Sequence, residues 1–395
     1  MRVAIIGTDY YPLRTSAAVQ LEDLAIALKS RGLKPIVLVP SGKFAAFSTI
    51  HFHKEICIVE LPSLPIKDVN YLARTIGEFL LPITMGFGLL FCKNISIKSF
   101  GGIICYSPSI FFGSLIFFLK KASNCRVYLV VRDIFPEWAL DLELLSNGFS
   151  YKVFKFFAWI QYCTANVIGV QSHSNLSFIP SKIPGIKEVL NNWLDSSGGV
   201  EEVCSIKFTE TMLAGRKIFI YAGNMGIAQN PDALVSLAFN ARGNSNVGFA
   251  LVGRGSEVDR LRVRISKLQL NNILIFDEIP AKEIPGLYAQ CHIGVISLDL
   301  RHRTHNIPGK FLSYMRSGLP VLAFASQSSD LSKMISSYHV GATCDDVNSD
   351  SLVPIIEKLL DEKNYKGMKF NAITISRTIF SATNAANQII RGLQI

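Results

Sequence analysis

Short apolar runs alternate with amphipathic stretches along nearly the whole chain. Val3 to Ile6 reads as a buried strand. Ser16 to Arg31 follows as a helix in which Leu21, Leu24, Ala25 and Leu28 share one face, and Gly32 ends the pattern. Ile36 to Val39, Ile56 to Leu61, Ile103 to Tyr106, Val127 to Val131 and Val167 to Val170 read as further strands, with helices over Ile110 to Lys120 and Tyr151 to Thr164. The pattern breaks at Asp195 to Gly199 (DSSGG), and the polar, acidic residues up to Gly215 show no period. It then restarts. Strands are predicted at Lys217 to Ala222, Val247 to Val252, Ile273 to Phe276, Ile293 to Leu298 and Leu319 to Phe324. Helices are predicted at Pro231 to Asn240, Ser256 to Leu268, Lys282 to Gln290, Lys310 to Ser317, Ser351 to Asp361 and Ser381 to Leu393. Such alternation predicts α/β architecture with parallel sheets covered on both faces. The restart predicts two doubly wound domains, 1–195 and 216–376, joined by a linker at 196–215 and followed by a C-terminal helix in 377–395. Sheets of this kind carry their ligands at the carboxyl ends of the strands, so both predicted sites face a shared cleft.

Composition adjusts this picture in three places. Hydrophobic residues make up 49% of the chain and charged residues 18%, so the chain folds and is greasier than most soluble proteins. The net charge of +10 is spread along the chain, which suits an anionic membrane surface or phosphorylated ligands. No aromatic-interleaved basic motif points to nucleic acid. Eight cysteines without a CxxC pair read as reduced thiols of a cytosolic protein, not as a disulfide framework or a zinc site. The first residues, MRVAIIGTDYYP, lack the apolar core and cleavage site of a signal peptide. Ile76 to Cys92 holds a single charge, Glu78, and approaches the roughly 20 apolar residues of a membrane span. Pro82, Gly86 and Gly88 argue against a simple span, and an interfacial helix and a buried or partner-covered helix stand as the alternatives.

The candidate chemistry lies in strand-to-helix turns. In YAGNMGIAQN, Gly223 and Gly226 let backbone N–H groups approach an anion, and Asn224 and Gln229 add amide donors. In LVGRGSEVDRL, Gly253 and Gly255 flank Arg254, which can fork onto a phosphate. In ISLDLRHRTHNIPGKF, Arg301, His302, Arg303, His305 and Lys310 form the densest basic cluster, and Lys310 opens a helix. Each turn alone reads equally as an ordinary loop. Three on one rim describe a cup for a diphosphate. In VVRDIFPEW, Asp133 is placed at a strand's carboxyl end, where it serves either catalysis or as cap of the helix near Pro136. The first turn, TDYYPLRTSAAVQ, is not glycine-rich and suits an acceptor; Tyr10 and Tyr11 can stack on a sugar or lipid head group, or are plain loop aromatics. His51 and His53 fall on one, exposed, side of a strand-like run, and Arg260, Arg262 and Arg264 read as a solvated helix face. The seven histidines show no metal-ligand spacing.

At these motifs the sequence resembles family-4 glycosyltransferases of GT-B architecture. YAGNMGIAQN, LVGRGSEVDRL and NIPGKFLSYMRSGLPVLA carry the resemblance in the second half. YSPSIFFG and VRDIFPEW are similar to bacterial O-antigen enzymes of the WbuB type, N-acetyl-L-fucosamine transferases. The resemblance implies two Rossmann-like domains, with the C-terminal helix returning to the first. It also implies a retaining hexosyltransferase, with a UDP-sugar on the second domain and an undecaprenyl-diphosphate-linked glycan on the first. No cofactor or metal is expected, and the work is placed at the inner face of the plasma membrane. The donor would meet Gly223, Asn224, Gly226, Gln229, Gly253, Arg254, His305, Asn306, Pro308, Gly309, Lys310 and Ser313. The acceptor would meet Tyr10, Tyr11, Thr15, Ser16 and Arg132, and Asp133 would be catalytic. Two departures stand out: His305 and Ser313 occupy the places of the family's glutamate pair, and Ser16-Ala17 that of its first-turn Gly-Gly. A UDP-sugar epimerase of the same fold and a non-catalytic GT-B binding protein remain as rivals.

Overall fold

Two parallel sheets account for the periodicity, one in each of two units. The computed structural model describes residues 1–13, 15–43, 48–67, 69–141, 143–194, 203–226, 229–298, 307–346 and 352–395. The first unit comprises Met1–Asp195 with Ser381–Ile395, and the second Ser196–Phe380.

The first unit runs β1 (Arg2–Ile6), α1 (Ser16–Lys29), β2 (Lys34–Pro40), β3 (Thr49–His53), β4 (Ile56–Leu61) and α2 (Tyr71–Leu90). It continues with β5 (Phe100–Ser107), α3 (Gly113–Ser123), β6 (Arg126–Val131), α4 (Glu137–Asp141), α5 (Phe149–Thr164), β7 (Val167–Val170) and β8 (Ile186–Val189). Its strand order is β3-β4-β2-β1-β5-β6-β7-β8, parallel except for the β3–β4 hairpin. That hairpin turns at Lys54 and Glu55 with φ of 50° and 61°. Both faces of the sheet are covered. Leu81, Met85 and Leu89 of α2, with Leu115 and Leu119 of α3, fill one side; Leu21, Leu24 and Leu28 of α1 fill the other. A side chain on Gly88 would put Cβ 2.3 Å from Pro62 Cδ, so this glycine lets α2 lie close to the chain after β4.

The second unit runs β9 (Lys217–Ala222), α6 (Asp232–Asn240), β10 (Val247–Val252), α7 (Val258–Lys267), β11 (Ile273–Phe276), α8 (Ile284–Ala289) and β12 (Ile293–Ser297). Next come α9 (Gly309–Arg316), β13 (Val321–Phe324), α10 (Asp330–Ser337), β14 (Gly341–Cys344), α11 (Leu352–Leu360) and α12 (Glu362–Thr378). The sheet order is β11-β10-β9-β12-β13-β14, all parallel, which is the dinucleotide-binding order reversing between β9 and β12. The last helix, α13 (Ala382–Leu393), belongs to the first unit. Ala382, Ala385, Ala386, Ile389 and Leu393 bury one stripe against α1 and the sheet. Arg126 Nε donates to Gly392 O at 3.1 Å, and Gln388 Nε2 to Val189 O at 2.9 Å. Burying Ile389 and Leu393 contributes about 1.5–3 kcal/mol each.

Three expectations change. Residues 203–215 are not a linker: Cys204, Ile206, Phe208 and Leu213 are buried, Ser205 N donates to Glu283 Oε2 at 2.7 Å, and Phe208 N to Gln290 Oε1 at 3.2 Å. The DSSGG stretch lies outside the described residues. Residues 377–380 stay with the second unit as the end of α12 and its turn. His53 is not on an exposed strand face: its ring stacks on Tyr11 at 3.6 Å and its Nε2 lies 3.1 Å from Glu22 Oε1.

Candidate functional site

The second sheet opens where its strand order reverses. β9 and β12 pair only at Phe219–Ile293 and Ile220–Gly294, then part. Tyr314 of α9 fills the gap. Its hydroxyl lies 3.1 Å from Ile220 O and 3.3 Å from Val295 O, and accepts from Ala222 N at 3.4 Å. A Cβ on Gly294 would sit 2.4 Å from the Tyr314 ring, so the glycine makes room for the tyrosine.

The turns after β9 and β10 are joined backbone to backbone. Gly223 N donates to Val252 O at 2.8 Å, Met225 N to Arg254 O at 2.7 Å, and Glu257 N to Met225 O at 3.2 Å. Cβ atoms on Gly253 and Gly255 would fall 2.0 Å from Gly223 O and 2.3 Å from Met225 O, at φ of 149° and 154°. These two glycines are therefore explained first by contact between the turns. Asn224 Nδ2 donates to Gln229 Oε1 at 3.1 Å, close over Gly226.

Lys310 lies across this turn. Its Nζ donates to the Tyr221 hydroxyl at 3.0 Å and stands 4.4 Å from the ring centroid. A Cβ on Gly223 would meet Lys310 Cε at 2.7 Å. Tyr221 passes the contact on by donating to Asn224 O at 2.6 Å. Loss of solvent around the ammonium pulls the Lys310 pKa down to about 8. Among the described residues no carboxylate compensates it. A desolvated cation without an acidic partner, beside the open N-terminus of α9, is what an anion site requires before its anion arrives. Pro308 precedes that helix with extended backbone, and Gly309 has no atom within 4 Å of its Cβ direction.

The other predicted donor residues are spread differently. Arg254 is 80% exposed and pairs with Glu278 at 3.3 Å, so it stands at the solvent edge rather than in the turn. Ser313 Oγ donates to Gly309 O at 3.2 Å, inside its own helix. His305 and Asn306, with Arg301, His302 and Arg303, lie outside the described residues. Arg260, Arg262 and Arg264 form an ion-pair lattice with Asp232, Glu257, Asp259 and Asp277 rather than a free solvated face. Tyr221 and Tyr314 were missed, because nothing in the sequence separates a strand or helix tyrosine that supports a site from one that fills a core.

The first unit gathers a polar rim of its own. Asp9, after β1, is buried and takes Lys67 Nζ at 2.9 Å and Thr15 Oγ1 at 2.6 Å. Thr15 caps α1, accepting from Ala18 N at 3.2 Å. Arg132, after β6, reaches the Tyr106 hydroxyl at 3.3 Å and Ser16 Oγ at 3.1 Å. Tyr106 donates to Gln20 Oε1, and Gln20 Nε2 to Asn192 Oδ1. Burial raises the Tyr106 pKa, Arg132 opposes this, and the nearby charge of half-buried Asp133 adds to it. Arg132, Asp133 and Ser16 are thus brought together, and Thr15 is committed to Asp9. Tyr10 corrects its expectation: it is 2% exposed in the core, so it cannot stack on a ligand, and its hydroxyl is buried with no hydrogen-bond partner among the described residues. Tyr11 is 44% exposed, with one face given to His53. Asp9, Lys67 and Asn192 were not anticipated. Gln20 had a signal, standing four residues before Leu24 on the apolar face of its helix. Among the described residues no three His, Cys, Asp or Glu gather as a metal site.

Residues 205–374 match the family model described as glycosyl transferases group 1. The fold is GT-B. Sucrose-phosphate synthase from Thermosynechococcus elongatus superposes with a TM-score of 0.72 at 13% identity, covering 99% of this chain and 97% of that one. Anabaena HepE, in complex with UDP, gives 0.70 at 15% identity over 100% of both chains. Among curated proteins the chain is 22% identical over 250 residues to a probable glycosyltransferase, WbjE, of Pseudomonas aeruginosa. That match spans 62% of this chain and 62% of the relative's length.

Proposed function

We propose that the chain is a retaining hexosyltransferase that moves a sugar from a UDP-sugar to a lipid-diphosphate-linked glycan in surface-polysaccharide synthesis. The observation that carries this is Lys310, desolvated and without a carboxylate among the described residues, laid over the glycine turn where the second sheet reverses. The developing diphosphate charge is met by that ammonium and by the α9 N-terminus, with Arg254 at the outer edge. Preorganised charge of this kind supplies the largest share of catalysis in such a reaction, and it takes the place of a metal. The acceptor binds the first unit at Ser16, Arg132 and the exposed face of Tyr11, and Asp133 orients or deprotonates its hydroxyl. UDP in HepE supports the nucleotide. The match to a probable glycosyltransferase of Pseudomonas aeruginosa supports glycosyl transfer, and the sequence resemblance to WbuB-type enzymes makes a bacterial cell-surface glycan, with N-acetyl-L-fucosamine, the first case to try. The proposed location is the cytoplasmic face of the plasma membrane, which the net charge of +10 supports.

The test is incubation with a panel of UDP-hexoses and a lipid-diphosphate-linked sugar, read by acceptor mass and by the anomeric configuration of the product. One added hexose with retained configuration is expected. Asp133→Asn should lose turnover with unchanged UDP affinity. A chain that neither binds UDP nor extends any acceptor overturns the reading.

A further inference from the structure

The outward face of α2 is as apolar as its inward face. Opposite Leu81, Met85 and Leu89, the residues Ile76, Phe79, Ile83, Phe87 and Leu90 recur every three or four positions and are 45–59% exposed. The surface does not stop with α2. Ile83, Phe87 and Leu90 share a groove with Phe118 of α3. Phe79 meets Phe157 of α5 edge-on at 5.5 Å, Phe157 meets Phe156 at 5.7 Å, and Phe156 lies over Trp159 at 6.2 Å. Phe117, Phe156 and Trp159 are themselves about half exposed. Three helices of the first unit therefore present one continuous aromatic and aliphatic face, which water alone does not favour.

Charge says what covers it. The two ionic residues of α2, Arg74 and Glu78, pair with each other at 2.9 Å. Neither α3 nor α5 contains an acidic residue. Exposed Lys93, Lys121 and Lys152 stand around the apolar face and have no acidic partner among the described residues. Lys121 Nζ lies 5.8 Å from the Phe117 ring, aliphatic stem along the surface and ammonium outward. A second copy of the chain would set these lysines against its own lysines. An anionic bilayer offers acyl chains to the rings and phosphates to the lysines. No helix among the described residues is long and apolar enough to cross a membrane.

We propose that the outer face of α2, α3 and α5 docks on an anionic lipid bilayer, with its aromatic residues at the boundary of head groups and acyl chains. This deepens the proposed membrane location and is independent of the donor chemistry. The experiment is co-sedimentation of the full chain with phosphatidylcholine vesicles, with and without phosphatidylglycerol. The chain should favour the anionic vesicles by about tenfold and lose that preference at high salt. Ile83→Glu/Phe87→Glu should reduce binding to both by at least about tenfold. Lys121→Glu/Lys152→Glu should remove only the preference for phosphatidylglycerol. These positions are exposed, so melting temperature should stay unchanged. Absence of vesicle binding, or variants that bind as the parent does, overturns the proposal. So does a change confined to oligomeric state in sedimentation velocity, which would give the face to a second copy. UDP titration separates the two readings: lost UDP binding with intact vesicle binding counts against the donor site alone.

Discussion

After β9 and β10 the second unit carries Gly223, Gly226, Gly253 and Gly255 and one desolvated cation. After β1 and β6 the first unit carries Asp9, Thr15, Arg132 and Asp133. One rim is built from backbone and the other from side chains. In the second unit, turn packs on turn at distances that admit no Cβ, leaving N–H groups and Lys310 as the chemistry. In the first, a chain of side-chain contacts runs from Arg132 through Tyr106 and Gln20 to Asn192. Backbone donors do not depend on side-chain identity, which suits the diphosphate of the proposed donor. Side-chain networks do depend on it, which suits the proposed acceptor.

The largest test of this contrast is Gly253→Ala. Its Cβ would fall 2.0 Å from Gly223 O at a φ of 149°. A loss of about 3 kcal/mol or more is expected in chemical denaturation of the second unit, together with UDP binding. A mild effect would mean the turns can part, and the rim is not backbone-built.

Next comes Lys310→Met. Removing a charge-assisted contact should weaken UDP by about 1.5–3 kcal/mol in calorimetry. The pH dependence sharpens it. Below about pH 8 the free protein already carries the Lys310 charge; above it the ammonium is lost and must be regained to meet the diphosphate. UDP affinity should therefore fall as pH rises through 8, approaching about tenfold per unit. The Lys310→Met variant should show no such slope. Parallel slopes in both proteins would take the diphosphate away from this residue.

Smallest is Gln20→Leu in the first unit. It leaves Tyr106 and Asn192 without their buried partner and should cost about 1–2 kcal/mol of that unit's stability. UDP affinity should not move. If it does, the two rims are coupled and the contrast between them fails.

Much of the chemistry was legible because glycine and strand–helix alternation leave marks in sequence. Gly253 and Gly255 were read from the sequence as flanking Arg254, and the structure adds that they make room for the neighbouring turn. What escaped was whatever depends on a partner distant in the chain. Tyr10 and Tyr11 are adjacent and identical in type, yet one is core and the other surface. The β3–β4 hairpin turns through Lys54 and Glu55, where left-handed backbone normally signals itself as Asn-Gly. Residues 203–215 look unpatterned because their apolar side chains dock singly, Phe208 against Phe276 and Leu213 beside Gly248, instead of repeating along an element. His305 and Asn306 fall outside the described residues.

The sequence by itself determined two α/β units, their parallel sheets and the turns at the strand ends, because period, glycine and helix-stop signals act over a few residues. It also determined that α2 is greasy. Only the tertiary structure decided which side of α2 faces out, that Tyr314 closes the space Gly294 leaves between β9 and β12, and that Lys310 folds over Gly223 onto Tyr221. Those facts are set by burial and by partners 20 to 94 positions away, distances over which local pattern carries no information and packing alone fixes the outcome.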